Sequence, residues 1–311
     1  MADVVQVSPA WALLAPGLLL ALALAGAGFS GVLSARSNGR SVLSGVSIPV
    51  TEIARLLRQR RRTTVAADVP LWRIGSAGLV VVAALKVIVI PLGMWTLSDL
   101  AVGVVWFNAM DVMVWALIWL AGWGANSAHS LVGGYRFLAL ALSYELPLMF
   151  ALVTPAVAAR SLNIGAVVAA QQEVWFVVWM PVAFLVFCGS VIAFSSWGPF
   201  ATAVNGDIAG GILTETSGVD RLLLLAGRYA LLTAGAAFAV PMFLGGGAGP
   251  LLPDWLWTLL KTLLLLALFV ATRNRFPAVR PDRFAEVAWV IVLPAVLLQT
   301  LVVALIVVER S

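Results

Sequence analysis

Residues 10–33 read AWALLAPGLLLALALAGAGFSGVL, a run without one charged side chain. About 20 apolar residues in a row are what an α-helix needs to cross the hydrocarbon of a bilayer. The run is not isolated. Comparable segments at about 75–94, 100–122, 137–157, 174–195, 221–243, 256–272 and 287–308 predict eight transmembrane helices, and the fold class is all-α, a polytopic membrane protein. Across the 311 residues 62% are hydrophobic and 11% charged, too little polar surface to clothe a soluble domain. One cleavable signal peptide cannot account for that much apolar sequence. No internal repeat and no Pro/Gly/Ser linker divides the chain, so residues 1–311 are expected to form a single membrane domain.

The placement of charge orients it. Arg36, Arg40, Arg55, Arg58, Arg60, Arg61, Arg62 and Arg73 follow the first span, and Arg273, Arg275, Arg280 and Arg283 follow the seventh. With Arg136 and Arg221 this puts 14 of the 19 basic residues on one side, against Arg160 and Arg310 on the other. Positive residues stay on the cytoplasmic side. Segments at about 34–74, 123–136, 196–220 and 273–286 are therefore expected to be cytoplasmic loops, with the N-terminus outside a cell inner (cytoplasmic) membrane. The net charge of +5 is then a topology signal toward the bilayer, and no nucleic-acid partner is implied.

Cys188 is the only cysteine and His129 the only histidine. An internal disulfide, a self-contained zinc or iron–sulfur site and a haem pair are all excluded by ligand count. No metal site and no bound cofactor are expected.

Between the first two spans, Ile48-Pro49-Val50-Thr51-Glu52-Ile53-Ala54-Arg55-Leu56-Leu57-Arg58 places Ile53, Leu56 and Leu57 on one helical face. Glu52, Arg55 and Arg58 lie toward the other, the pattern of a short amphipathic helix in the membrane interface. Residues 197–220 form a glycine-rich segment carrying Asp207, Glu215 and Asp220, either a connector or a docking loop. Residues 163–172 are expected to form a short re-entrant or surface helix. Trp95, Trp106, Trp123, Trp175, Trp255 and Trp257 fall near span ends, as an aromatic belt does.

Five ionisable residues fall inside the predicted spans: Lys86, Asp111, Glu145, Arg228 and Lys261. A charge at that depth costs at least about 2.5–3.5 kcal/mol on insertion scales, so it pairs, faces water, or both. Glu145, two residues before Pro147, stands about eight residues into its span. Two readings remain open for it: a proton-exchanging carboxyl, or a static ion pair with Lys86, Lys261 or Arg228. Two function classes follow, a proton- or ion-conducting part of a larger machine and a self-contained transporter. The second favours paired broken helices in two halves, which are not seen here.

Specific wording appears around the third and fourth spans: Ala121-Gly122-Trp123-Gly124-Ala125-Asn126-Ser127, then Ser130-Leu131-Val132-Gly133-Gly134-Tyr135-Arg136, then Leu142-Ser143-Tyr144-Glu145-Leu146-Pro147. Together they resemble the AGWxSNSxxSLLGxxR…SYE pattern of the H subunit (subunit 1) family of NADH–quinone oxidoreductase, respiratory complex I. Trp257, Lys261, Arg273, Pro277, Arg280, Asp282 and Trp289 resemble a second block of that family in order, and Thr214-Glu215-Thr216-Ser217-Gly218 resembles its TEYSG. The resemblance covers nearly the whole chain. It implies a membrane subunit that anchors an iron–sulfur arm, shapes a quinone chamber and takes part in redox-coupled proton translocation. Quinone would be a substrate at a shared interface, iron–sulfur clusters would belong to partner subunits, and the chain alone would catalyse nothing. Glu145 carries over as a coupling carboxyl with Lys261 as its buried basic counterpart, and the buried charges Asp111 and Arg228 are counted with them as candidate residues of the route. Arg36, Arg40, Glu52, Arg55, Asp207, Glu215, Arg273, Arg280 and Asp282 fall on the quinone-chamber or peripheral-arm surface.

Departures from the pattern matter as much. The family's acidic loop ExxRxPFDxxEAExEL is here Phe194 through Ile208, with Pro199-Phe200 kept and a single acid, Asp207. A glutamate of the pattern appears as Phe194, and Glu-Tyr in the sixth span as Arg228-Tyr229. Arg228 is therefore expected to neutralise Glu145 or Asp111. A membrane anchor of an energy-converting nickel–iron hydrogenase and a scaffold paralogue without proton coupling are the alternative readings.

Overall fold

The computed structural model describes residues 4–206 and 210–309. Twelve α-helices are found among them: α1 (Leu14–Ser37), α2 (Val42–Arg58), α3 (Val69–Val87), α4 (Gly103–Gly124), α5 (Ala128–Ala159), α6 (Ile164–Ala169), α7 (Phe176–Trp179), α8 (Pro181–Phe194), α9 (Gly218–Phe243), α10 (Asp254–Arg275), α11 (Pro281–Val287) and α12 (Leu293–Glu309). Eight helical segments are long and apolar enough to cross a membrane, which makes this an all-α multi-pass membrane protein. A short π segment, Ala288–Val292, joins α11 to α12. The only strands among the described residues are Val5–Gln6 (β1) and Trp95–Thr96 (β2), a parallel pair that sequence patterning did not suggest.

Local chemistry sets the helix ends and corrects several expected boundaries. The second span begins at Val69 rather than near 75, because Asp68 caps it by accepting from the Leu71 amide at 3.3 Å and Pro70 suits a first turn. Its helix closes at Val87, which leaves Lys86 in the last turn. The expected loop 123–136 is mostly helix, since α5 starts at Ala128 and runs 32 residues through Pro147 and Pro155. The expected fifth span is two pieces, α7 and α8. Met180 leaves helical geometry (φ −124°, ψ 48°) just before Pro181 opens α8, as the residue preceding a proline tends to. The short helix expected in 163–172 is α6, capped by Asn163.

Buried residues concentrate in α5, α8 and α9, with α9 at the centre. Leu231, Leu232, Ala234, Ala236, Phe238 and Ala239 are all fully enclosed. The outer helices keep apolar residues exposed, among them Leu264, Leu268, Val290, Leu298 and Leu305, as a lipid-facing surface requires. α1 and α2 cross at two glycines. A Cβ on Gly31 would stand 2.3 Å from the Gly45 carbonyl oxygen, and one on Gly45 2.6 Å from Val32 Cα. Small residues at such a crossing are what let two membrane helices touch backbone to backbone.

Connections between α1 and α3, α4 and α5, α8 and α9, and α10 and α11 gather at one end of the bundle, together with most of the arginines. α2 lies at this end and begins at Val42, six residues before the stretch expected to be helical. Its faces are partly reassigned: Leu56 is enclosed, whereas Leu57, expected beside it, is exposed.

Candidate functional site: a buried polar column and an arginine-rich end

Lys86 of α3 meets Asp111 of α4. Its ammonium donates to Asp111 Oδ1 at 2.8 Å, and both side chains are fully enclosed. The same nitrogen lies 4.3 Å from the ring centroid of Phe107 and 3.9 Å from that of Phe194. Glu145 of α5 does not join this pair. Its Oε1 accepts from the Asn108 amide at 3.1 Å, while Oε2 is buried with no partner. The static ion pair considered for Glu145 is thus replaced by a hydrogen bond from a neutral amide.

Asn108, Asp111 and Trp115 stand three and four residues apart on α4, so they share one helical face. Tyr144 and Glu145 of α5 face them, and the Tyr144 hydroxyl lies within electrostatic reach of both Asp111 and Glu145. Asn108 Oδ1 and Glu145 Oε2 are buried without a protein hydrogen bond, and Asp111 Oδ2, Trp115 Nε1 and Tyr144 OH, though close enough to interact with one another, make none of ordinary geometry. Nearly all buried polar atoms in proteins find partners, so five such atoms in one column mark a place where polar groups serve more than packing. Asn108 and Trp115 escaped the reading of the sequence. Their signal was present, a polar face spaced 108, 111 and 115 within an apolar span.

Lys261 is not the partner of Glu145. Its ammonium donates to the carbonyls of Leu244 (2.7 Å), Gly246 (2.9 Å) and Ala248 (2.8 Å), capping the turn between α9 and α10. Trp175, taken from sequence as a belt anchor, lies over the same nitrogen at 4.1 Å. Three carbonyls satisfy all three ammonium protons locally, and the aromatic face adds to their hold on the charge.

Arg228 is equally displaced from its expected role. Buried in α9, its Nε donates to the Ser195 carbonyl at 3.4 Å and its Nη2 to the Ser196 carbonyl, the free carbonyls past the end of α8. It neutralises neither Glu145 nor Asp111. Its guanidinium and that of Arg273 each lie 5.7 Å from the Trp197 ring centroid, and Tyr229 packs on that ring at 4.7 Å. No ion pair of either arginine is found among the described residues.

At the arginine-rich end, loop residues stitch the helices together. Glu215 accepts from Ser127 Oγ at 2.6 Å, Arg136 donates to the Gly210 carbonyl at 3.0 Å, and the Arg62 amide donates to Ser217 Oγ at 2.8 Å. Arg61 pairs with Asp220 at 3.3 Å. A cavity of about 420 Å³ opens beside this seam, lined by Asp68, Trp123, Asn126, Ser127 and Leu131. A second hollow of about 450 Å³ lies between α5 and α11, lined by Tyr135, Arg136 and Asp282 among others. Glu52 pairs with Arg55 on α2 at 2.6 Å, and that hydrogen bond holds the Glu52 carboxyl below its ordinary range. Arg280 pairs with Asp282 at 2.7 Å, and Arg36 and Arg40 are exposed. Asp207 lies outside the described residues. Glu215 is thus half-buried within the seam, and Arg273 is an exposed residue reaching the Trp197 ring. Arg36, Arg40, Glu52, Arg55, Arg280 and Asp282 lie on the surface around them.

The α4–α5 hairpin that carries the column is also where the specific wording of the sequence falls. A family model described as NADH dehydrogenase matches residues 12–304. The chain belongs to the H-subunit family of NADH–quinone oxidoreductase. One of its relatives, the second H-type NADH-quinone oxidoreductase subunit of Geobacter sulfurreducens, is 34% identical over 269 residues, 83% of this chain and 82% of that protein. The corresponding H subunit of Carboxydothermus hydrogenoformans is 35% identical over 214 residues, 67% of this chain and 61% of its own. The first H-type subunit of Rhodopseudomonas palustris is 35% identical over 216 residues, covering 69% and 68%. The family match reaches every membrane-crossing helix, so the buried column and the arginine-rich end both lie within H-type sequence.

Proposed function

We propose that this chain is the H-type membrane subunit of a complex I-like NADH–quinone oxidoreductase, in a cell inner membrane with its N-terminus outside. It acts with other membrane and iron–sulfur subunits and relays protons through the α4–α5 column. The observation that carries this reading is the set of five buried, unpartnered polar atoms around Glu145 and Asp111. Ionisable groups held in hydrocarbon without a full set of partners mark proton or ion routes in membrane proteins. Together these atoms offer a proton several hydrogen-bonding stations within a few residues of one another. Glu145 is the exchanging carboxyl. One of its oxygens is fixed by Asn108 and the other is free to take and release a proton toward Tyr144.

The arginine-rich end supports the rest of the assignment. Its basic surface attracts an acidic or cluster-bearing partner. Arg273, exposed beside the enclosed Trp197 ring, offers hydrogen-bond donors to a quinone headgroup at this end. No redox group belongs to this chain; electron transfer is supplied by partners, and the chain positions quinone and moves protons.

The test is Glu145→Gln in the assembled, vesicle-reconstituted complex. Glutamine keeps the Asn108 contact and removes the exchangeable proton. Proton translocation driven by NADH is expected to fall by roughly a hundredfold, the lower end of what a positioned acid–base group contributes. Unchanged translocation would remove the coupling role and leave the chain a scaffold.

A further inference from the structure

We infer that Phe194 is a positioning residue that locks the Lys86 ammonium onto Asp111, withdrawing that pair from proton exchange and leaving Glu145 as the working carboxyl. The inference rests on the proposed proton-relay reading and adds to it a division of labour between the two buried acids.

The geometry is specific. Phe194 is the last residue of α8, fully enclosed, and its ring centroid stands 3.9 Å from Lys86 Nζ. Phe107, one turn before Asp111 on α4, closes over the same nitrogen at 4.3 Å. Two ring faces attract a cation and give a neutral amine far less, so they favour the charged lysine. A charged lysine 2.8 Å from Asp111 in turn favours the carboxylate. The charged groups acting on Lys86 are Asp111 of α4 and Glu145 of α5, and only Asp111 touches it. α9 is cut away to receive the ring: a Cβ on Gly235 would stand 3.1 Å from Phe194 Cζ and 2.3 Å from Val191 Cγ1.

Phe194 also separates two polar regions. The next two residues, Ser195 and Ser196, give their carbonyls to Arg228 on the loop side. On the membrane side the ring meets Lys86. An apolar ring between a buried guanidinium and a buried ammonium keeps water from joining them. Lys86–Asp111 is a closed pair at the edge of the column rather than a stage in it.

The experiment is infrared difference spectroscopy on the purified complex in nanodiscs, following the protonated-carboxyl stretch between acidic and alkaline pH. It needs no turnover, so its failure is distinguishable from failure of the relay itself. In the native complex a band is expected that Glu145→Gln removes and Asp111→Asn leaves in place. Phe194→Leu keeps apolar volume but loses the ring face; it is expected to add a second carboxyl band, absent again from Phe194→Leu combined with Asp111→Asn. Phe194→Met serves as an independent volume-keeping variant with the same expected band. The inference is overturned if Asp111→Asn removes a carboxyl band from the otherwise native complex, or if both Phe194 variants assemble and add none.

Discussion

Burying a charge in a bilayer leaves few arrangements open, and the five ionisable residues here take three of them. Lys86 and Asp111 neutralise each other, Lys261 and Arg228 are wrapped in backbone carbonyls, and Glu145 holds a neutral amide. The first arrangement carries a stability prediction. Asp111→Asn strips the carboxylate from an enclosed ammonium, and breaking a buried pair from one side costs about 3–5 kcal/mol. The purified chain should unfold at a clearly lower temperature, while Lys86→Met combined with Asp111→Leu should recover most of the loss. If the single and double variants unfold together, the pair contributes nothing beyond packing. At this scale the sequence told which residues are buried charges, because charge inside an apolar run needs no tertiary knowledge. It could not tell which charges meet. Lys261 is held away from Glu145 because the turn after α9 supplies three carbonyls to it first, and Arg228 is held by the open end of α8. Those acceptors are backbone groups, invisible to any reading of side-chain types.

At the scale of elements, boundaries followed capping chemistry more closely than hydropathy. Hydropathy located all eight crossings but misjudged α3, where Asp68 and Pro70 start the helix early, and α8, where Met180-Pro181 breaks it. α5 outran its apolar core because its helix begins at Ala128, before the polar Tyr135 and Arg136. The α1–α2 contact was not legible at all, since two glycines in separate segments carry no mark of being neighbours. They make a firm prediction. Gly45→Leu drives a side chain into the backbone of Val32, and overpacking of this kind costs about 1–3 kcal/mol. Amide exchange in α2 should rise sharply and exchange in α4 and α5 should not; equal protection across all three would mean that α2 is not held by this crossing.

For the whole molecule, the arginine-rich end is joined by side chains from segments distant in sequence. Ser127 with Glu215, Arg61 with Asp220, and Arg62 with Ser217 tie the connections after α2, α4 and α8 into one seam. Glu215→Ala should loosen that seam as a unit, so exchange should rise together in residues 59–64 and 210–217 while the helices beneath stay protected. A rise confined to residue 215 and its neighbours would show that the segments are independent. Charge asymmetry made the existence of this end readable from sequence. Its seam was not, apart from the Ser127 and Glu215 motifs that the family wording already marked.

The two-residue strand pair has a bearing on how such a chain is made. Val5 and Gln6 pair in parallel with Trp95 and Thr96, with the Val5 amide donating to the Met94 carbonyl at 2.7 Å and the Val7 amide to the Thr96 carbonyl at 2.8 Å. The segment leading into α1 is therefore fastened by one synthesised some ninety residues later, after the whole of α3. This tie therefore forms only once α3 has been made and the segment after it meets the start of α1. The anchoring of one crossing is in this way completed by a later one.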